Sequence, residues 1–352
     1  MEFILEYGLF LAKAVTLVVA LLVLVASVVA IASRQRTEQH EGHIEVRKLN
    51  DRYRHMGDVL RGVTDDAALL KEQKKAEKKE EKERSKQAKK SRKKGGDGPP
   101  DRPGRLYVLN FDGDMRASAT DNLREEISAV LAHAADGDEI LLRVESPGGV
   151  VHGYGLAASQ LQRIRSAGVP LTVAVDKVAA SGGYMMACVA QRIIAAPFAV
   201  VGSIGVLAQL PNFHRLLKKH DIDFELFTAG EYKRTLTLFG ENTDKGREKF
   251  VEELEQTHEL FKEFVGSNRP SLDIAQVATG EVWYGSQAVQ RGLVDELQTS
   301  DEFIQERLAD WDVFEVRFVH KKNWQEKLGM AAGGALERAL LKIWQRGQGP
   351  HV

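Results

Sequence analysis

Three short segments carry residue types that can perform acyl transfer. The first is Glu145-Ser146-Pro147-Gly148-Gly149, which follows an apolar stretch. Glycines after a proline leave backbone N–H groups open, and such groups can bind an oxyanion. Taken alone, the segment also reads as an ordinary Pro-Gly turn. The second is Ala179-Ala180-Ser181-Gly182-Gly183-Tyr184-Met185-Met186-Ala187. It places the Ser181 hydroxyl near the start of a small-residue helix, where peptide dipoles favour developing negative charge. A plain N-cap serine would look the same. The third is Gly230-Glu231-Tyr232-Lys233-Arg234. A serine hydroxyl is a weak nucleophile until a neighbour takes its proton. A lysine amine in apolar surroundings can do that, although most lysines are surface residues.

The competing chemistries are less well supported. Ser181 is not in a G-x-S-x-G elbow. Of the domain's histidines (His133, His152, His214, His220, His258 and His320), only His152 lies near a candidate segment, so a Ser-His-Asp triad is poorly supplied. No H-x-x-x-H or H-E-x-x-H spacing points to a metal. The one cysteine, Cys188, excludes an internal disulfide and reads as a small core residue.

The segments need a scaffold, and the hydrophobic pattern supplies one. Apolar runs predict strands at Leu106–Phe111, Ile140–Glu145, Leu171–Val175, Arg192–Ala196, Phe224–Phe227 and near Val313–Val319. Helical periodicity predicts Asp121–Ala135, Tyr154–Ser166, Asn212–His220, Thr243–Arg269 and Ser300–Leu308. A further helix runs from Ser181 towards Ala190. Alternating strands and helices imply an α/β domain with strands buried on both faces. The apolar stretch Ala179–Leu210 holds Gln191, Arg192 and Pro197, which marks domain core rather than a membrane span.

Ahead of that domain lie two other kinds of sequence. Ala14–Ala32 is 19 uncharged residues. At about 1.5 Å per residue they cross nearly the whole hydrocarbon core, about 30 Å thick. Residues 1–33 are therefore expected to be a retained anchor. A cleavable leader is the alternative, since Ala30-Ile31-Ala32 fits a small-x-small cleavage site. Residues 34–103 form a charged connector, partly helical or disordered, in which Lys71–Lys94 carries 13 basic and 5 acidic residues. The run reads first as a solvated spacer, with attraction to anionic lipid as the functional alternative. Gly95-Gly96-Asp97-Gly98-Pro99-Pro100 breaks it, leaving residues 104–320 as the folded domain. Trp324–Trp344, within the tail 321–352, reads as an amphipathic helix. Across the chain, 49 basic residues nearly cancel 50 acidic ones, which argues against a nucleic-acid binder.

In order and spacing, these blocks resemble the signal peptide peptidase A family of membrane-anchored serine proteases, and the plan looks like its short, single-domain SohB branch. The resemblance runs from Leu106 to Leu297 and takes in Ser146–Gly149, Ala180–Tyr184 and Gly202-Ser203-Ile204-Gly205-Val206. It continues through Tyr232-Lys233, Gly280-Glu281-Val282-Trp283-Tyr284 and Gly292-Leu293-Val294-Asp295. It implies a ClpP/crotonase-like spiral of ββα units. Ser181 matches the nucleophile, Lys233 the general base and Ser203 a serine that orients the lysine. The Gly149 and Gly182 N–H groups match the oxyanion hole. No metal or organic cofactor is implied. Implied partners are peptide substrates such as cleaved signal peptides, the lipid bilayer, and further copies in a homo-oligomer with active sites near subunit boundaries. Whether Lys233 serves its own chain or a neighbour stays open. The resemblance also implies a bacterial inner membrane. Better-known members work on its outer side, whereas basic residues after the anchor favour a cytoplasmic domain. Two rival readings keep the fold: a crotonase-like acyl-CoA enzyme, and a non-catalytic membrane scaffold.

Overall fold

The computed structural model describes residues 42–66 and 103–320, with residues 15, 16, 75, 79 and 83. Two compact units are distinguished. One is Glu45–Arg317 and the other comprises Met1–Ile44 and Phe318–Val352. The first contains all the candidate residues.

Two sheets organise it. Seven strands form the larger sheet in the order β1-β10-β2-β3-β4-β6-β9. They are β1 (Gly42–Lys48), β2 (Arg105–Asp112), β3 (Glu139–Glu145), β4 (Leu171–Val175), β6 (Arg192–Ala195), β9 (Glu296–Leu297) and β10 (Asp312–His320). The pairs from β10 through β9 are parallel. The smaller sheet is β5 (Val178–Ala180), β7 (Val200–Gly202) and β8 (Val282–Tyr284). In it β5 and β7 are parallel and β7 and β8 antiparallel. The fold is therefore mixed α/β. The chain leaves β4 for β5 and β6 for β7, stepping each time from the large sheet to the small one. Leu106, Val108, Ile140, Leu141, Leu142 and Val173 are fully buried, the mark of parallel strands covered on both faces.

Nine helices are described. They are α1 (Leu49–Thr64), α2 (Thr120–Leu131), α3 (Val151–Ser166), α4 (Gly182–Ala187), α5 (His214–Lys219), α6 (Asp244–Asn268), α7 (Ile274–Val277), α8 (Gly285–Gln290) and α9 (Ser300–Arg307). α3 packs on both α2 and α4, so the helix after the Pro-Gly-Gly turn lies against the helix after Ser181. Ala157, Ala158 and Leu161 of α3 are fully buried.

Five expected strands and five expected helices form within a few residues of their anticipated bounds. Of the stretch Ala179–Leu210 expected to be core, Ala179–Ile204 is largely buried, whereas residues 207–210 are exposed at the start of the arm. The helix expected to reach Ala190 stops at Ala187. Phe224–Phe227 forms no strand. It is exposed within an arm over 205–243, where its backbone finds no sheet edge, and an unpaired strand has no ladder to hold it. The folded unit also begins earlier than the composition implied. β1 and α1 arise from the stretch assigned to the connector, and Leu49 and Tyr53 pack against Leu106, Phe303 and Trp311. Asn50 explains the attachment. Its amide donates to Leu308 O and Trp311 O, and its Oδ1 accepts Val313 N–H at 2.8 Å. The apolar run at Ala14–Ala32, most of Lys71–Lys94 and the tail at Trp324–Trp344 lie outside the described residues. Among the described residues no helix is long and apolar enough to cross a membrane.

The Gly292–Asp295 block has a structural role. Arg269, largely buried at the end of α6, makes a two-point ion pair with Asp295 at 2.9 and 2.7 Å and donates to Gly292 O. The second Asp295 oxygen also accepts Ile193 N–H at 2.7 Å, tying α6 to β6. Burial pushes the Asp295 carboxyl up, but the Arg269 and Ile193 donors outweigh it and hold the group below its ordinary value. Folded Asp295 therefore binds its proton less tightly than the unfolded chain does. Its contribution is present above the ordinary carboxylate range and is lost as pH falls through the depressed value. Asp295→Asn is expected to cost about 2 kcal/mol in urea unfolding at neutral pH, less than a fully buried pair because the carboxyl is 36% exposed. Part of the acid-side loss of stability should disappear with it.

Candidate functional site

Ser181 stands where β5 turns into α4. Its φ of 51° and ψ of −117° are rare for a residue with a side chain. Neighbouring hydrogen bonds impose this geometry. Ser181 N–H donates to Gly202 O at 2.8 Å, and Met185 N–H to Ser181 O at 2.9 Å. Strain held in place by surrounding structure is characteristic of functional positions. The Ser181 side chain is half-buried and caps no backbone group of α4, so the plain N-cap reading does not hold.

The Pro-Gly-Gly turn lies directly against it. Ser146 N–H donates to Val178 O and Ala180 N–H to Ser146 O, joining the end of β3 to β5. Gly148 then sits at φ +90°, and a Cβ there would lie 2.7 Å from Ser181 Cβ and 2.9 Å from Gly182 N. Only glycine permits that approach. Gly149 is equally confined, because a Cβ on it would run into Met115 O. Neither Gly149 N–H nor Gly182 N–H has an acceptor among the described residues. Two unused donors thus border the serine, as an oxyanion site requires.

Ser203 joins the same cluster. Ala180 and Gly202 are register partners on β5 and β7, so Ser181 and Ser203 occupy the next positions along neighbouring strands. Ser203 also has positive φ, 52°, and its N–H donates to Glu281 O at 2.6 Å. Gly202 lies tight against the Trp283 ring. The Gly280–Tyr284 block therefore supports the back of the site. His152 lies exposed in the first turn of α3, and no hydrogen bond or ion pair among the described residues links it to a candidate residue. Cys188 is core, its thiol pushed by burial to about 12. Among the described residues no cluster of His, Cys, Asp and Glu could hold a metal ion.

Lys233 lies on the arm over 205–243. It is exposed, its N–H donates to Gly230 O, and no described hydrogen bond or ion pair joins it to Ser181 or Ser203. The arm bearing it is built largely from its own contacts. Phe213 N–H donates to Leu238 O, the Asn212 amide to Thr237 O and Gly240 O, and Phe239 packs against Phe213 and Phe224. Its other anchor is α6. Lys245 pairs with Glu231, and Lys245 and Lys249 both lie over the Tyr232 ring. Sequence reasoning missed the supporting residues Tyr154, Ser146 and Asp114. Ser146 sat inside a quoted motif, while Tyr154 carried no local signal at all.

The model of the Peptidase family S49 N-terminal region matches residues 2–161, and that of Peptidase family S49 matches 163–313. "Probable protease SohB" of Haemophilus influenzae is 51% identical over 326 residues, 93% of this chain and 92% of the relative. The chain belongs to peptidase family S49. A second "Probable protease SohB", from Buchnera aphidicola subsp. Schlechtendalia chinensis, is 50% identical over 86% of this chain and 99% of its own. More distantly, "Protease 4" of Haemophilus influenzae is 29% identical over 57% of this chain and 34% of its own length. S49 is a family of serine peptidases, and the chain is a serine-type peptidase.

The closeness of Gly148 to Ser181 gives a sharp test. Gly148→Ala is expected to lower kcat/KM for a peptide substrate at least about 100-fold. Gly137→Ala is the control, since Gly137 has φ +84° but nothing within 4 Å of where its Cβ would stand. That change should cost about 1 kcal/mol of stability and leave turnover intact.

Proposed function

We propose that the chain is a membrane-anchored serine endopeptidase in which Ser181 attacks and Lys233 serves as general base. The Gly149 and Gly182 N–H groups form the oxyanion hole. The observation that carries this is the strained Ser181 bordered by two unbonded backbone donors at the start of α4. The Lys233 amine takes the Ser181 proton as the hydroxyl oxygen attacks a peptide carbonyl. The tetrahedral oxyanion is held by the two N–H groups. The protonated amine then passes its proton to the leaving nitrogen, and water hydrolyses the acyl-enzyme with the lysine again as base. Ser203 orients the lysine. The stepping of strands between two sheets supports a ClpP/crotonase-like spiral.

Lys233 acts on the Ser181 of a neighbouring copy. Three features support this. Lys233 is exposed on the arm, no hydrogen bond or ion pair among the described residues links it to Ser181, and the arm presents Leu207, Phe224 and Phe227 to solvent, the last 87% exposed. Apolar surface of that extent is what a subunit contact covers. The apolar run at Ala14–Ala32 anchors the assembly in the inner membrane, and the substrates are short membrane-associated peptides such as cleaved signal peptides.

Labelling the full chain with a serine-reactive fluorophosphonate, followed by peptide mapping, tests the dyad. Modification at Ser181, abolished in Lys233→Ala, is the expected result. Absence of labelling together with acyl-CoA binding would favour the crotonase-like alternative. Each single variant, Ser181→Ala and Lys233→Ala, should lose at least about 1,000-fold in kcat. Co-assembling the two inactive variants distinguishes cis from trans, because mixed oligomers regain activity only if the lysine of one chain serves the serine of another.

A further inference from the structure

We propose that Tyr154 and Ser146 are positioning residues that hold both oxyanion donors in register with Ser181, an inference that rests on the assignment of Ser181, Gly149 and Gly182 above. Both side chains are fully buried. Their hydroxyls form a chain whose direction can be worked out. Tyr154 Oη donates to Asp114 O at 2.8 Å, which uses its only proton. In the 2.5 Å contact between the two hydroxyls, Ser146 must therefore be the donor. Ser146 Oγ in turn accepts Gly148 N–H at 3.1 Å. Burial pushes the Tyr154 phenol above its ordinary value, which keeps it a neutral donor.

Each end of this chain reaches one wall of the site. At one end Ser146 fixes the Gly148 amide, directly before the Gly149 donor. At the other, Asp114 begins the loop that closes over Gly149. Met115 O accepts Val150 N–H at 2.9 Å and lies against the Gly149 Cα. The loop is shaped by Asp114 itself, whose carboxylate accepts Arg116 N–H, Ser118 N–H and the Ser118 hydroxyl. The Tyr154 ring completes the link to the second donor. Any Cβ on Gly182 would collide with it, so the ring is the surface on which the α4 start rests. Gly113 lets the loop close, since a Cβ there would lie 2.5 Å from Ser146 Oγ and 2.6 Å from Tyr154 Oη. One tyrosine thus sets Gly182 through its ring and the Gly148–Gly149 turn through its hydroxyl. An oxyanion hole acts only if its donors are placed before charge develops.

The test is turnover per active site in the full chain. Sites are counted by fluorophosphonate labelling of Ser181, and affinity for a lipopeptide aldehyde, whose adduct places an oxygen in the hole, is measured alongside. Tyr154→Phe keeps the ring and removes the hydroxyl. It is expected to lower kcat per labelled site about tenfold or more and to weaken the aldehyde by a similar factor, with KM within about twofold of wild type. Ser146→Ala should give the same pattern and serves if Tyr154→Phe does not fold. Wild-type kcat per labelled site and wild-type aldehyde affinity in both variants would overturn the proposal, as would a loss confined to KM. A merely structural role would reduce the number of labelled sites and leave turnover at each unchanged. Failure of wild-type Ser181 to label would instead sink the underlying dyad assignment.

Discussion

The approach of Gly148 to Ser181 is the contact on which the site depends. No atom fits between the Pro-Gly-Gly turn and the start of α4, so the two segments can meet only with glycine at position 148. Beside that contact Ser181 has an unusual backbone, which the surrounding hydrogen bonds hold in place. Ser181 N–H is held by Gly202 O and Ala180 N–H by Ser146 O. Strain of this kind persists only where the scaffold over-determines it. Here the scaffold is the junction of two sheets, with β3 bridging to β5 through the Ser146–Ala179 pair.

The same junction explains why the small sheet matters despite its size. β5 and β7 run parallel and end together, which places Ser181 and Ser203 side by side. β8 then crosses β7 antiparallel and brings Trp283 against Gly202 and Glu281 O to Ser203 N–H. Four sequence blocks, separated by tens of residues, become one wall. The Arg269–Asp295 pair performs a comparable service farther from the chemistry by fastening the C-terminal end of α6 to β6. The N-terminal half of α6 holds the stretch beside Lys233, through the Lys245–Glu231 pair and the two lysines over the Tyr232 ring.

The proposal that the lysine of one copy serves the serine of another places different demands on the two groups. A nucleophile and oxyanion donors gain from being fixed in advance, because reorganising them during reaction would raise the barrier. A base delivered from another chain has a different requirement, which is a surface that assembles. The arm exposes phenylalanines and leucines that a single copy does not cover, while its internal hydrogen bonds preserve its shape. Activity tied to assembly would also keep a peptidase silent as a lone subunit.

Much of this was legible in the chain itself. Parallel strands buried on both faces leave continuous apolar runs, and β2, β3, β4 and β6 were readable for that reason. The serine and lysine blocks proposed to react stood out because acyl transfer needs those residue types, and the family resemblance supplied their roles. Phe224–Phe227 was misread because an apolar run reveals hydrophobicity but not whether a sheet edge is available to receive it. α1 was hidden by its charged surroundings, since its attachment depends on Asn50 reaching residues more than 250 positions away. Tyr154 was invisible for a similar reason. Its hydroxyl partners, Asp114 and Ser146, lie 40 and 8 positions away, and its ring meets Gly182 on another helix. Sequence alone determined most of the elements that carry the proposed reacting groups, because those depend on local composition and period. Tertiary structure alone decided which backbone donors stay free among the described residues and which glycines admit no side chain, because each is a property of contacts between distant segments.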